Sequence, residues 1–227
     1  MTITTTKLTR AAGLAAVAGG LLFIAVQIKH PLLDAPFTTT TEYAVRETAK
    51  IFMALLSLIG VTGIYLRQVR QTGVIGLIGY LVLGLGYLGI FSVQLIGVFV
   101  LPVLAGREPG YVNDVLAVAT HGTPVGDIGP VDILINGAGI AYIAGGIIFG
   151  IALFRAAILP RWAALLLSVG AVATVATSQL PELTQRLFAI PVSVALVGLG
   201  YSLWREQHTT KTVPSPVSAQ LDPTDAK

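Results

Sequence analysis

Five polar side chains stand within or at the ends of long apolar stretches of this chain: Gln27, Glu47, Gln94, Asn136 and Gln179. Polar groups on an apolar helix turn toward the interior of a bundle, so residues from five separate stretches could line one cavity. Glu47 alone among them is ionisable, which makes it the one candidate for acid or base chemistry on a lipophilic substrate. A carboxylate held in such a place needs a compensating cation, and Arg46 is adjacent while Lys50 lies one turn on. A plainer role fits the same residues, with Glu47 solvated at headgroup level and the amides bonding helix to helix.

Other chemistry finds less support. His30, Asp34, His121, Asp127 and Asp132 carry the atoms that a divalent metal takes, yet their spacing follows no compact ligand motif, and a solvated acidic rim accounts for them. The glycines between His121 and Asp132 have no following lysine and no preceding strand, so they do not form a phosphate loop. No serine stands in a nucleophile context near His121. The chain has no cysteine, which removes disulfides, thiolate catalysis and cysteine-held metals. No metal or other cofactor is therefore expected. The net charge of +3 is spread one or two residues at a time rather than gathered in a stripe, which argues against nucleic acid as a partner.

The elements that must position these side chains follow from composition. With 54% hydrophobic and 11% charged residues and a mean hydropathy of +0.81, a chain of 227 residues has more apolar surface than one soluble core can hide. A bilayer core about 30 Å thick needs roughly 20 apolar residues at about 1.5 Å of rise each. Such runs occur at residues 11–28, 47–66, 74–104, 131–154, 162–180 and 187–204. The expectation is an all-α, polytopic membrane bundle of about six transmembrane helices with both termini cytoplasmic. A short segment, 1–10, precedes it, and a polar tail, 205–227, is expected to be disordered and cytosolic. With that topology Lys7, Arg10, Arg67, Arg70, Arg155, Arg161, Arg205, Lys211 and Lys227 lie inside, and Lys29, Arg46, Lys50, Arg107 and Arg186 outside. The excess of inner cations satisfies the positive-inside bias of a bacterial cytoplasmic membrane. The first run is read as a retained helix rather than a secretory signal, since it exceeds a usual signal core and no small-x-small cleavage site follows it.

Small residues mark where these helices should approach each other: Gly13, Ala16 and Gly20 in the first, Gly139, Gly146 and Gly150 in the fourth, and Gly170, Thr174 and Ser178 in the fifth. The run 74–104 is too long for one perpendicular crossing, so it must tilt, protrude or break, and Gly84, Gly86 and Gly89 are the expected place for a break. Tyr80, Tyr87 and Gln94 recur every seven residues on that helix and so share a face. Between 105 and 130, the segment from Pro109 to Ala119 places Tyr111, Val112, Val115, Leu116 and Ala119 on one side of a short helix that could cap the bundle.

His30-Pro31, Gly63-Ile-Tyr-Leu-Arg67 and Arg155-Ala-Ala-Ile-Leu-Pro-Arg-Trp-Ala163 give the chain, over about residues 10–205, the layout of small bacterial integral membrane proteins with about six helices, which it resembles. That resemblance implies the fold and transfers no activity. The expected function is a small binding or structural membrane protein with an outward-facing polar cavity, whose partners are the bilayer and a lipophilic small molecule or another membrane protein. The alternatives are a small-molecule transporter or channel with Glu47, Gln94 and Asn136 on its path, and a membrane enzyme using Glu47.

Overall fold

The computed structural model describes residues 4–28, 31–176 and 189–209. These are organised as eight helices, and no strand occurs among them: α1 (Thr5–Gln27), α2 (Ala35–Thr38), α3 (Thr41–Phe99), α4 (Leu101–Ala105), α5 (Pro109–Ala119), α6 (Pro130–Ala156), α7 (Arg161–Ala176) and α8 (Ala189–Thr209). Of these, α1, α3 and α6 are long and apolar enough to cross a membrane.

Helix starts follow local capping rather than the edge of the apolar run. The Thr4 hydroxyl accepts from the Lys7 amide at 3.3 Å, which starts α1 well before residue 11. The Thr40 hydroxyl accepts from the Tyr43 amide at 3.2 Å, so α3 begins at Thr41 and Glu47 lies inside its second turn rather than at its edge. Hydropathy marks what prefers lipid, whereas the cap marks where the orphan N–H groups of a first turn find partners.

The long helix α3 is a hairpin. Gln68 (φ −125°, ψ 16°) and Gly73 (φ 57°, ψ −151°) leave helical geometry, and the second of these angles suits only a residue without Cβ. Residues 41–67 form a first arm and residues 74–99 a second that returns alongside it. Thr62 and Tyr80 hydroxyls lie 3.2 Å apart across the arms, and the Tyr65 and Tyr80 rings stack with centroids 4.6 Å apart.

The expected break at Gly84, Gly86 and Gly89 is not there. α3 is helical through all of them and stops at Phe99; Val100 (φ −107°, ψ −50°) separates it from α4. Pro102 lacks the amide that would continue the ladder and its ring crowds the preceding turn, so the break falls ahead of the proline. The glycines serve packing instead. A Cβ on Gly86 would lie 2.5 Å from the Tyr142 amide nitrogen of α6, and one on Gly89 2.5 Å from Ala138 Cβ.

Six helical segments close into a ring in which each neighbour is antiparallel. Gly60 meets Ala16, placing the first arm of α3 against α1. Gly13 and Gly20 meet Gly200 and Ser193 of α8; Gly170 of α7 meets Val192 of α8; Gly150 of α6 meets Ser168 of α7; and Gly145 of α6 meets Leu83 of the second arm. Thus the sequence seams at Gly13, Gly20, Gly146, Gly150 and Gly170 are helix contacts, whereas Gly139, expected in the same seam, is open, with nothing within 4 Å of where its Cβ would stand, and the Thr174 and Ser178 side chains lie outside those described. The core fills the ring with Val61, Ile64, Leu83, Phe149, Leu196 and Leu199, all fully buried.

α1 starts and α8 ends at the same end of the ring as the turn of α3. There the Arg67 guanidinium donates to the Glu206 carboxylate at 2.9 Å, and α8 continues to Thr209, past residue 204. Residues 210–227 lie outside those described.

Candidate functional site: a capped cavity between the arms of α3 and α6

At the opposite end of the ring, α2, α4 and α5 form a separate apolar lid. Val112, Val115, Leu116 and Val118 of α5 pack with Ala35, Leu101, Tyr43 and Ile128 into a second buried cluster. The lid is tied down by side-chain bonds to backbone. Asn113 Oδ1 accepts from the Ala35 amide at 2.8 Å, and the Asp114 carboxylate accepts from the Val125 and Gly126 amides at 2.8 and 3.0 Å. Gly129 (φ 62°) then turns the chain into α6, whose first residue is a proline, a position where the missing N–H would be unpaired in any case.

Beneath this lid is a cavity of about 390 Å³, within the usual range for small-molecule sites. Its polar wall comprises Glu47 and Lys50 from the first arm of α3, Gln94 from the second, His121 from the loop after α5, and Asn136 from α6. Apolar surface from Ile90, Leu101, Val115, Leu116, Ile135 and Ile143 completes it. Gly97 shapes the wall: a Cβ there would stand 3.2 Å from the Tyr43 hydroxyl and 3.5 Å from the Glu47 carboxylate. The absence of a side chain lets both groups seat between the arms.

Of the five residues singled out from sequence, the structure brings Glu47, Gln94 and Asn136 to this one cavity. Glu47 is buried and Gln94 half-buried, while Asn136 is exposed and donates to Asp132 Oδ1 at 3.0 Å. Gln27 is not in the wall; it is half-buried at the end of α1, which packs on the far side of the first arm. Gln179 lies outside the described residues.

Glu47 accepts a hydrogen bond from the Lys50 ammonium, and the two form an ion pair with side chains 6% and 17% exposed. Arg46, the other candidate cation, is engaged elsewhere. It pairs with Glu42 at 2.9 Å and reaches the Ile28 carbonyl at 3.2 Å, clamping the end of α1 to the start of α3. No second carboxylate lines the cavity among the described residues, so paired-carboxylate chemistry has no partner for Glu47. What the arrangement offers is recognition: a charged pair and two amides for a polar group, and apolar walls for the rest of a ligand.

The metal candidates do not converge. Asp34 caps α2 through the Phe37 amide at 2.8 Å, Asp127 accepts from the Gly129 amide at 2.8 Å, and Asp132 holds Asn136. No group of three metal-binding side chains occurs among the described residues, and His30 is outside them.

Sequence reasoning assigns three wall residues no place in the cavity: it offers Lys50 only as a counter-charge for Glu47 and His121 only as a metal candidate, and it omits Tyr43. Tyr43 and Lys50 lie four residues before and three after Glu47, hence on its face, a signal that was available. His121 had no such signal, because the fold of the 105–130 segment places it. Comparison with family models, curated proteins and solved structures finds no match to this chain.

Proposed function

We propose that this chain is a polytopic protein of a bacterial cytoplasmic membrane, crossing it six times with both termini in the cytosol, and that it binds a small lipophilic molecule in the outward-facing cavity. Several features support the membrane reading. Large apolar side chains look outward from around the ring, among them Leu14 at 53% exposure, Ile59 at 51%, Leu85 at 63%, Ile151 at 45% and Val172 at 51%. Such a belt on a soluble monomer would aggregate, whereas lipid covers it at no cost. Each arm of α3 is long enough for a crossing of its own, and the end of the ring holding Arg67, Arg70, Arg155, Arg161 and Arg205 suits the cytosolic side.

The observation that carries the binding reading is the meeting of the Glu47–Lys50 pair and Gln94 with apolar walls in one space beneath the α5 lid. A ligand with one polar group and an apolar body matches that lining. Ile90 and Ile143 face the cavity and also pack against the buried core, which favours a closed pocket over a through path.

Native mass spectrometry of the protein released from nanodiscs tests this. A Cβ on Gly139 meets nothing within 4 Å, yet Gly139 lines the cavity, so Gly139→Phe would fill it from an open position. A bound lipophile retained by the wild type and lost from Gly139→Phe is the expected result. Equal retention by both proteins would sink the proposal.

A further inference from the structure

Behind the floor of the cavity, three hydroxyl groups from three segments meet in the centre of the ring. Ser57 belongs to the first arm of α3, Tyr87 to the second, and Tyr142 to α6; they are 0%, 1% and 9% exposed. The Tyr87 hydroxyl is near enough to those of Ser57 and Tyr142 to interact with both, though outside hydrogen-bond geometry. The two tyrosine rings meet edge to face, with centroids 5.5 Å apart and planes at 83°. Close as they are, none of the three oxygens has a hydrogen-bond partner among the described residues.

A buried hydroxyl without a partner is costly, and native interiors rarely leave one, let alone three together. Each of these groups has a proton to donate and lone pairs to accept with. Internal waters typically make about three hydrogen bonds, and they occur where otherwise unsatisfied polar groups converge. Polar groups that are near each other yet out of direct bonding geometry are the usual frame for such a bridge. We propose that Ser57, Tyr87 and Tyr142 form an internal water site, one molecule joining the two arms of α3 to α6.

The location gives the site its role. Gly86 brings the α6 backbone against the second arm at the level of Tyr142, so the two helices are in close contact where the hydroxyls gather. A water supplies there the hydrogen bonds that membrane helices otherwise draw from serine, threonine or amide contacts. Ile90 and Ile143, which pack against the cluster containing Tyr87 and Tyr142, separate the site from the cavity. The site is thus a second, smaller polar compartment.

Radiolytic hydroxyl labelling of the intact protein in nanodiscs reads this site, because an activated internal water modifies the side chains it touches even where bulk solvent does not reach. The expected result is labelling of Tyr87 and Tyr142 above the background set by Phe149, which is fully buried in the same core, with loss of the Tyr142 label in Ser57→Ala. Labelling of both tyrosines at the Phe149 background would overturn the proposal. Thermal unfolding supplies the second reading. A bridged cluster loses Tm in Tyr142→Phe and regains it when Ser57→Ala and Tyr87→Phe are added, whereas a rise in Tm with Tyr142→Phe alone would mark dry, unpaired hydroxyls and overturn the site.

Discussion

The Lys50 ammonium donates to the Glu47 carboxylate from one turn along the same arm of α3, and the pair faces the cavity beneath the α5 lid. Breaking a buried pair by removing one partner strands the other charge, which costs more than the pair itself contributes. Glu47→Gln is therefore expected to lower the unfolding free energy by about 2 kcal/mol, less than for a fully enclosed pair because Lys50 keeps some exposure. Glu47→Gln with Lys50→Met should recover most of that loss. Denaturant unfolding in detergent measures both; a single variant as stable as the double one would contradict a paired Glu47.

The glycines of α6 separate into tight and open positions. A Cβ on Gly145 would collide with the Leu83 backbone, whereas one on Gly137 meets nothing within 4 Å. Gly145→Ala should destabilise by about 2 kcal/mol or more through overpacking. Gly137→Ala should be neutral or stabilising by roughly 0.5 kcal/mol, because alanine restricts the unfolded chain and suits a helix better. The two melting temperatures, compared in one preparation, check the α3–α6 contact; equal losses would contradict it.

Topology is open to a direct test because the chain has no native cysteine. Gly110→Cys, on the lid, is expected to react with a membrane-impermeant thiol reagent applied to intact cells. Gln71→Cys, in the turn of α3, should react only after the membrane is opened. The reverse pattern would invert the proposed orientation and turn the cavity toward the cytosol.

Much of the architecture is legible because lipid and water sort side chains so strongly. Arg67, Gln68, Arg70 and Gly73 interrupt the apolar runs, and the hairpin turn of α3 lies among them. Helix ends are less legible, since Thr4 and Thr40 cap helices that reach beyond the apolar stretch. The break near residue 100 was misplaced because glycine permits two different things, a bend or a close approach. At Gly86 and Gly89 the neighbouring backbone of α6 decides for approach, and Pro102 decides where the helix stops.

The site shows the same division. Polarity alone singles out Glu47, Gln94 and Asn136, and it singles out Gln27 too, yet Gln27 sits on a helix that the first arm of α3 screens from the cavity. Which face of a ring a polar residue reaches depends on helix order, and no local pattern encodes that. Tyr80, Tyr87 and Gln94, spaced by seven, do share the inward face, but one stacks on Tyr65, one meets Tyr142, and only Gln94 reaches the cavity.

The most direct test of a ligand-binding cavity is a structure determined by electron cryomicroscopy in lipid nanodiscs, with protein taken from its native membrane. The account predicts non-protein density enclosed by Lys50, Gln94, Leu116 and Ile143 under α5. Glu47 and Lys50 turned out toward the headgroups, with α5 collapsed onto Gln94 and no enclosed space left, would contradict it.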